Sequence, residues 1–442
     1  MKKLISVILI ICCLCAILPL SGCRRSGTAE VYFLNFKPEV ADVFQDIAKA
    51  YEEETGVKVK VVTAAANTYE QTLKSEISKS EPPTIFQVNG PIGFQGWQSY
   101  CADLSTTKFA SLLSDSSLAV RKDNMIYGVP YVVEAYGIIY NDAIMRKYFA
   151  LENKKVDISS ASEINSFEEL KAVVEDMTAN KEALGIQGVF ASTSLSSGED
   201  WRWQTHLANM AYYYEFAESD DPITAAVNAA TSDFKYAENY KNIFDLYINN
   251  SVTERKLLGS KSVADSMAEF ALGKCAMVQN GTWAWSQISE VSGNKVKAED
   301  IKMLPIYTGA EGEENIGLCI GTENYMCINS RVPADKQKAS LDFLYWLFTS
   351  DTGKRFVTEE LKYTTPFTSL ADVSPDDPLA KETQRYLNDE DKVNIPWVFT
   401  GFPGENFKRE FGNALLEYAQ GTTDFENLKK RVSDKWKSER SK

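Results

Sequence analysis

One histidine, His206, stands in the 442 residues. That scarcity argues against a His-rich metal centre. It also leaves a serine–histidine hydrolase to be built on a single residue, with no Gly-x-Ser-x-Gly elbow near it. Cysteine is scarce where it would count. Of eight, Cys12, Cys13, Cys15 and Cys23 crowd the N-terminus, and Cys101, Cys275, Cys319 and Cys327 are dispersed over the rest. No Cys-x-x-Cys pair follows residue 23, so a structural zinc site has no ligand set, and a chain of this length needs no disulfide framework. Cys319 and Cys327 share one apolar stretch and read as small buried hydrophobes. Positive charge is short as well: 47 Lys and Arg face 61 Asp and Glu, for a formal net charge of −14. Such a body is unsuited to nucleic acid and to general adhesion to anionic lipid. Beyond the N-terminus no apolar run reaches the length of a membrane-spanning helix, and there is no repeat or low-complexity tract. The expectation is a protein without metal or cofactor.

What is present begins at the N-terminus. Lys2 and Lys3 precede an apolar run over 4–18, too short for a comfortable membrane span and the right length for the core of a secretory signal. Leu20-Ser21-Gly22-Cys23 follows and resembles the bacterial lipobox. That resemblance implies a signal peptide over 1–22, lipidation of Cys23 and a tether over 23–28. A diacylated cysteine carries two chains, enough for stable anchoring where one is marginal. The expected place is the cell membrane, lipid-anchored on its extracytoplasmic face.

The remaining length is too great for one ordinary core and suggests two domains. A strand over 31–36 leads to Pro38, which opens a helix with Val40, Val43, Phe44, Ile47 and Tyr51 at three- and four-residue steps before Gly56. Val57, Val59 and Val61 alternate with Lys58 and Lys60, a half-buried strand. Strand, helix and strand in this order imply a parallel α/β sheet with a right-handed crossover. Another apolar strand covers 84–88. Ligands of open α/β sheets sit beyond the carboxyl ends of strands, so 35–39 and 87–90 are candidate ligand loops. Glu134 is the only charge in the apolar run 131–140, and burial without a partner is costly. It reads as a satisfied core acid, an edge residue, or a residue serving a ligand or a hinge, and the last is expected. Asn280-Gly281 signals a turn that brings Trp283 and Trp285 out just past a strand.

Several segments, in order, resemble bacterial extracellular solute-binding proteins of the oligosaccharide ABC-importer type, the group of the maltodextrin-binding protein. They are 50–59, 133–141, Gly273-Lys274-Cys275-Ala276-Met277 with Asn280-Gly281-Thr282-Trp283-Ala284-Trp285-Ser286, and 321–329. The resemblance implies an α/β, two-lobed periplasmic-binding-protein type II fold with a ligand cleft between the lobes. It places the N-terminal lobe at 29–133 and 306–330, and the C-terminal lobe at 134–305 and 331–442. Crossings are expected near 133–134, 304–305 and 329–334.

A neutral oligosaccharide offers apolar C–H faces to flat aromatics and hydroxyl rims to carboxylates, amides and cations. By the resemblance, Trp283 is a stacking platform and Glu134 a hydroxyl acceptor. Lys37 and Glu39 fall where the family keeps a charged pair, and Asn89 stands near an acidic family position. Trp201, Arg202 and His206 lie near the second-lobe aromatic. The segment 394–396 leads into another stacking aromatic, either Trp397 or Phe402. Trp285 and Glu323 complete the candidate ligand-binding set. The function implied is capture of a neutral oligosaccharide by hinge closure, without turnover, by a monomer that delivers it to the transmembrane subunits of an ABC permease. The alternatives are the same fold holding a polyamine or other small solute, and a lipid-anchored glycoside hydrolase, which would need two carboxylates facing one bond.

Overall fold

A computed structural model describes residues 30–65, 68–373 and 376–441. The signal peptide, the 23–28 tether and the Cys23 lipidation site lie outside the described residues. The strands are β1 (Val31–Asn35), β2 (Val59–Thr63), β3 (Ile85–Asn89), β4 (Val120–Lys122), β5 (Met125–Pro130), β6 (Glu134–Asn141), β7 (Met277–Gly281), β8 (Ile301–Leu304), β9 (Ile316–Gly321), β10 (Asn324–Ile328) and β11 (Val393–Ile395). They form two sheets, one per lobe, with helices packed around both.

The first sheet runs β2-β1-β3-β10-β5-β4. β1 is buried along its length and pairs in parallel with β2, from Val31 opposite Val59 to Asn35 opposite Thr63. The helix Ala41–Thr55 between them buries Phe44, Ile47, Ala48 and Tyr51 as one stripe. It ends at Gly56, whose left-handed φ of 75° lets its N–H donate to the Glu52 carbonyl. β2 starts two residues later than the alternation suggested, because Val57 and Lys58 are used in leaving that cap.

The second sheet runs β11-β9-β6-β7, with β8 also paired to β6. β6 is its spine. It is buried at every position and meets β7, β8 and β9, all antiparallel. This explains why 134–140 reads as a nearly continuous apolar run: both faces and both edges are covered.

Sheet membership departs from the expected lobe boundaries at two places. β9 was expected in the N-terminal lobe, yet it pairs with β6, Gly321 opposite Glu134, and with β11. The chain therefore returns to the first sheet at Thr322-Glu323, just before β10, and not near 304–305. The stretch after 331 was expected in the C-terminal lobe. Instead Phe343, Leu344, Leu347, Phe348, Phe356 and Val357 share one buried cluster with Val31 and Phe33 of the first sheet and Ile47 of the helix packed on it. The hydrophobic face of the helix Ala334–Thr349 has its matching surface there. Leu379 and Tyr386 of the next helix, Pro378–Leu387, pack with Ile139 and Leu318 in the second lobe. Leu370 thus belongs to the first lobe and Leu379 to the second.

Among the described residues no helix is long and apolar enough to cross a membrane.

Candidate ligand cleft

The cleft is built from strand ends. β1 delivers Lys37 to it through a turn clamped by Asn35, whose amide donates to Lys37 O at 2.8 Å while its Oδ1 accepts from Lys37 N at 3.1 Å. β3 delivers Gln87, which fixes two neighbours: its Oε1 accepts from Phe36 N at 2.6 Å, and its Nε2 donates to Tyr131 Oη at 2.7 Å. Lys37 then reaches across to the first residue of β6. Its Nζ donates to both carboxylate oxygens of Glu134, at 2.8 and 2.9 Å, and lies 3.6 Å from Glu39. Lys37 and Glu134 are each only 6% exposed. Burial works against the ammonium, but Glu134 and Glu39 outweigh it and hold Lys37 above its ordinary value.

At the other flank the first lobe braces its own strand ends. Asn324 Nδ2 of β10 donates to Asn89 Oδ1 of β3 at 2.8 Å, and Gly90 N donates to Glu323 O at 2.9 Å. Asn89 is thus held by a neutral amide partner. Gly90 has φ +58°, and a Cβ there would sit 2.7 Å from Thr400 Cβ of the second lobe. Only glycine permits this approach.

An aromatic wall comes from the second lobe. A π-helical turn, Arg202–Leu207, opens the helix that continues as Ala208–Phe216. Such turns recur at functional sites, and this one places His206 among five rings: Tyr136 at 4.4 Å between centroids, Trp201 and Phe399 each at 4.8 Å, Trp283 at 5.6 Å and Trp397 at 5.8 Å. Burial, and next the charge of Arg202, push His206 well below its ordinary value, so it is neutral. Trp201 and Trp283 lie 5.8 Å apart. Trp283 Nε1 and Trp397 Nε1 are buried with no hydrogen-bond partner.

Two chambers open beside this wall. The smaller, about 110 Å³, is lined by Glu39, Val133, Glu134, Trp283, Tyr363 and Thr364 among others. The larger, about 490 Å³, includes Asn89, Trp97, Gln204, Glu323, Phe399 and Lys408 in its lining. His206 connects them, touching Trp283 of one and Phe399 of the other. Tyr363 Oη and Gln204 Oε1, one in each chamber, are also buried without partners. In the larger chamber, burial raises the Glu323 carboxyl, opposed by the charges of Lys408 and Lys37.

The structure places Glu39, Glu134 and Trp283 on the smaller chamber and Asn89 and Glu323 on the larger, with Lys37 paired to Glu134; Trp201, His206 and Trp397 form the wall behind and line neither chamber, His206 and Trp397 being buried. Three candidates stand differently. Arg202 is 4% exposed and lines neither chamber; its guanidinium lies 3.8 Å from the Trp201 ring and its Nε donates to Asn280 Oδ1 at 3.0 Å. It is a support for the wall. Trp285 packs with the cluster that includes Ala284 and Ile288, turned away from Trp283 by the helix Ala284–Ser289. Phe402 reaches the edge of the larger chamber, but its ring is 1% exposed and packs on Tyr212 at 4.6 Å and Trp436 at 5.6 Å. Sequence reasoning missed Phe399, Gln204, Tyr363 and Lys408. Phe399 lies in the short turn Val398–Gly401 after Pro396, where no periodicity marks which ring turns inward. Among the described residues no group of three or more His, Cys, Asp or Glu side chains gathers to hold a metal ion.

Two α/β lobes, joined by several crossings and enclosing an aromatic-walled cleft with acids on its rim, have the build of a ligand-capturing protein. The pattern of the family described as "Bacterial extracellular solute-binding protein" matches residues 46–385, and the chain belongs to that family. None of the curated proteins matches it in sequence. Similar solved structures include a "Chitin oligosaccharide binding protein", with TM-score 0.73 and 17% identity over 93% of this chain and 99% of that one. The solute-binding protein RafE in complex with raffinose has TM-score 0.69 and 18% identity over 93% and 99%. A sugar transporter from Bacillus licheniformis in complex with stachyose has TM-score 0.68 and 15% identity over 92% and 100%. At these identities the likeness is one of fold.

Proposed function

We propose that the protein is the substrate-binding lipoprotein of an ABC importer, capturing a neutral oligosaccharide by hinge closure and delivering it to the membrane permease. The observation that carries this is the aromatic wall around His206, set in the same cleft as the acids Glu39, Glu134 and Glu323. Trp201 and Trp283 supply flat faces for sugar C–H surfaces. The carboxylates accept from hydroxyls, and the unpartnered Trp283 Nε1 and Trp397 Nε1 donate to sugar oxygens. The ligands named for the similar structures, a chitin oligosaccharide, raffinose and stachyose, support a saccharide here.

Closure follows from differential binding: a sugar held by both lobes favours the closed form because the open form offers only one set of contacts. Micromolar capture needs about −8 kcal/mol. Cys23, lipidated, keeps the protein beside its permease, as a monomer on the extracytoplasmic face. Replacing Cys23 by Ser releases the protein from the membrane fraction; retention there argues against the anchor.

Capture rather than hydrolysis suits the acids. A glycosidase needs two carboxyls facing one bond, whereas Glu134 lines the smaller chamber with both oxygens held by Lys37, and Glu323 lines the larger. One observation favours a second reading, a polyamine ligand: the larger chamber is lined by Glu70, Asp200, Glu323, Glu405 and Glu439 against Lys74, Lys408 and Arg409. A screen of neutral oligosaccharides and polyamines by ligand-induced thermal shift separates the two, and a parallel assay for released sugar tests the hydrolase. A shift with oligosaccharide and no release supports capture. A shift with polyamine alone, or sugar release, overturns it.

A further inference from the structure

A small cavity of about 10 Å³ lies within the second lobe, among residues that line neither ligand chamber. Four of its residues carry buried polar atoms with no hydrogen-bond partner: Arg202 Nη1, Thr193 Oγ1, Tyr247 Oη and Gln279 Oε1. Each residue is nine-tenths buried or more, at 4, 1, 1 and 3% exposure respectively. Such groups are normally paired, and each unpaired one asks for an explanation.

Arg202 is the unusual member. Its Nε is satisfied by Asn280 Oδ1, but among the described residues no carboxylate accepts from its guanidinium, and Glu199 and Glu39 act on it only through space. Arginine stays charged in proteins, and a buried charge without a hydrogen-bonded counter-charge is strongly unfavourable. A neutral occupant would complete the hydrogen bonds and leave the charge uncompensated.

We propose that this cavity is a binding site for one small monovalent anion, chloride in an extracellular medium, held by the Arg202 guanidinium and a hydroxyl from Thr193 or Tyr247. Gln279 is oriented by its Nε2, which donates to Arg202 O at 2.9 Å. Its Oε1 is therefore an acceptor, and one of the two hydroxyls turns to it. The other hydroxyl and Arg202 Nη1–H remain for the anion. The volume is about that of one water-sized sphere, so chloride enters as the Thr193, Tyr247 and Gln279 side chains yield slightly, and the larger tetrahedral sulfate and phosphate are excluded. Because the guanidinium lies 3.8 Å from the Trp201 ring, an occupied site fixes that wall from behind.

Crystals of the protein grown in bromide, measured at the bromine edge, test the site. An anomalous peak within hydrogen-bond reach of Arg202 Nη1 is expected; ordered water there with no anomalous signal overturns the proposal. In solution, replacing gluconate by chloride at constant ionic strength raises the Tm by about 1–3 °C. One of Thr193→Val and Tyr247→Phe, the one that deletes the hydroxyl facing the anion, removes that rise, and so does Gln279→Glu, which brings a carboxylate to the guanidinium and keeps the acceptor; an undiminished rise in both hydroxyl variants overturns the proposal. No chloride dependence in the unaltered protein, or the same dependence in Gln279→Glu, contradicts it.

Discussion

Lys37 Nζ, from the loop after β1, donates to both carboxylate oxygens of Glu134, the first residue of β6, at 2.8 and 2.9 Å. The two side chains belong to different lobes, and each is 8% exposed. The pair ties the lobes beside the first crossing. Breaking one side of a buried pair leaves an uncompensated charge and costs about 3–5 kcal/mol, while replacing both partners costs much less. Lys37→Met is therefore expected to lose about 3 kcal/mol in urea unfolding. Lys37→Met with Glu134→Leu recovers most of that. A double variant as unstable as the sum of the single ones contradicts the pairing.

Trp283→Ala is expected to weaken oligosaccharide binding at least tenfold, about 1.4 kcal/mol. Trp285→Phe leaves affinity within about twofold, since that ring is half-buried against the second-lobe core and lines neither chamber. Equal losses in the two variants would mean that the neighbouring tryptophans share the ligand.

Glu323 lines the larger chamber between β9 and β10. Hydrogen bonds to charged groups contribute about 1.5–3 kcal/mol. Glu323→Gln is expected to reduce sugar affinity by tenfold or more with no loss of Tm. Unchanged affinity would remove Glu323 from the contact set.

Gly90 faces Thr400 across the lobes, where an added Cβ would stand 2.7 Å from Thr400 Cβ. Gly90→Ala hinders closure. Small-angle scattering with saturating sugar is expected to show a more open particle than the unaltered protein, and Thr400→Gly in that background restores compaction. Identical scattering from all three proteins shows that closure does not bring these residues together.

His206 is the chain's sole histidine and is held neutral in the fold. A base whose folded pKa is depressed contributes stability present above its unfolded pKa, about 6.5, and lost as pH falls below that. Between pH 6.5 and 5 its share of the slope is up to about 1.4 kcal/mol per pH unit. His206→Gln removes that share, so the difference in stability between the two proteins changes with pH in that window. A constant difference means that His206 titrates alike folded and unfolded.

The α/β class was legible because burial leaves period and punctuation in the sequence. Pro38, the stripe from Phe44 to Tyr51 and Gly56 mark the first crossover helix, and the fold realises it as Ala41–Thr55. Glu134 was legible because one carboxylate in an apolar run demands a partner, and Lys37 is that partner. The lobe boundaries were not. Ile316–Gly321 and Asn324–Ile328 are equally apolar, and only pairing to β6 or to β3 tells which sheet each joins. Tryptophans posed the same difficulty. Trp283 and Trp285 are two residues apart, and the short helix Ala284–Ser289 decides which faces the cleft. Phe399 was hidden because a ring in a turn carries no period, and its role rests on contacts with His206 and Trp397.

Calorimetric titration of a panel of neutral oligosaccharides into the protein tests sugar capture most directly. Saturable binding of at least one, with a Kd in the micromolar range or tighter and a loss of tenfold or more in Trp283→Ala, is the expected result. No binding across the panel, or binding that Trp283→Ala leaves unchanged, would contradict capture at this cleft.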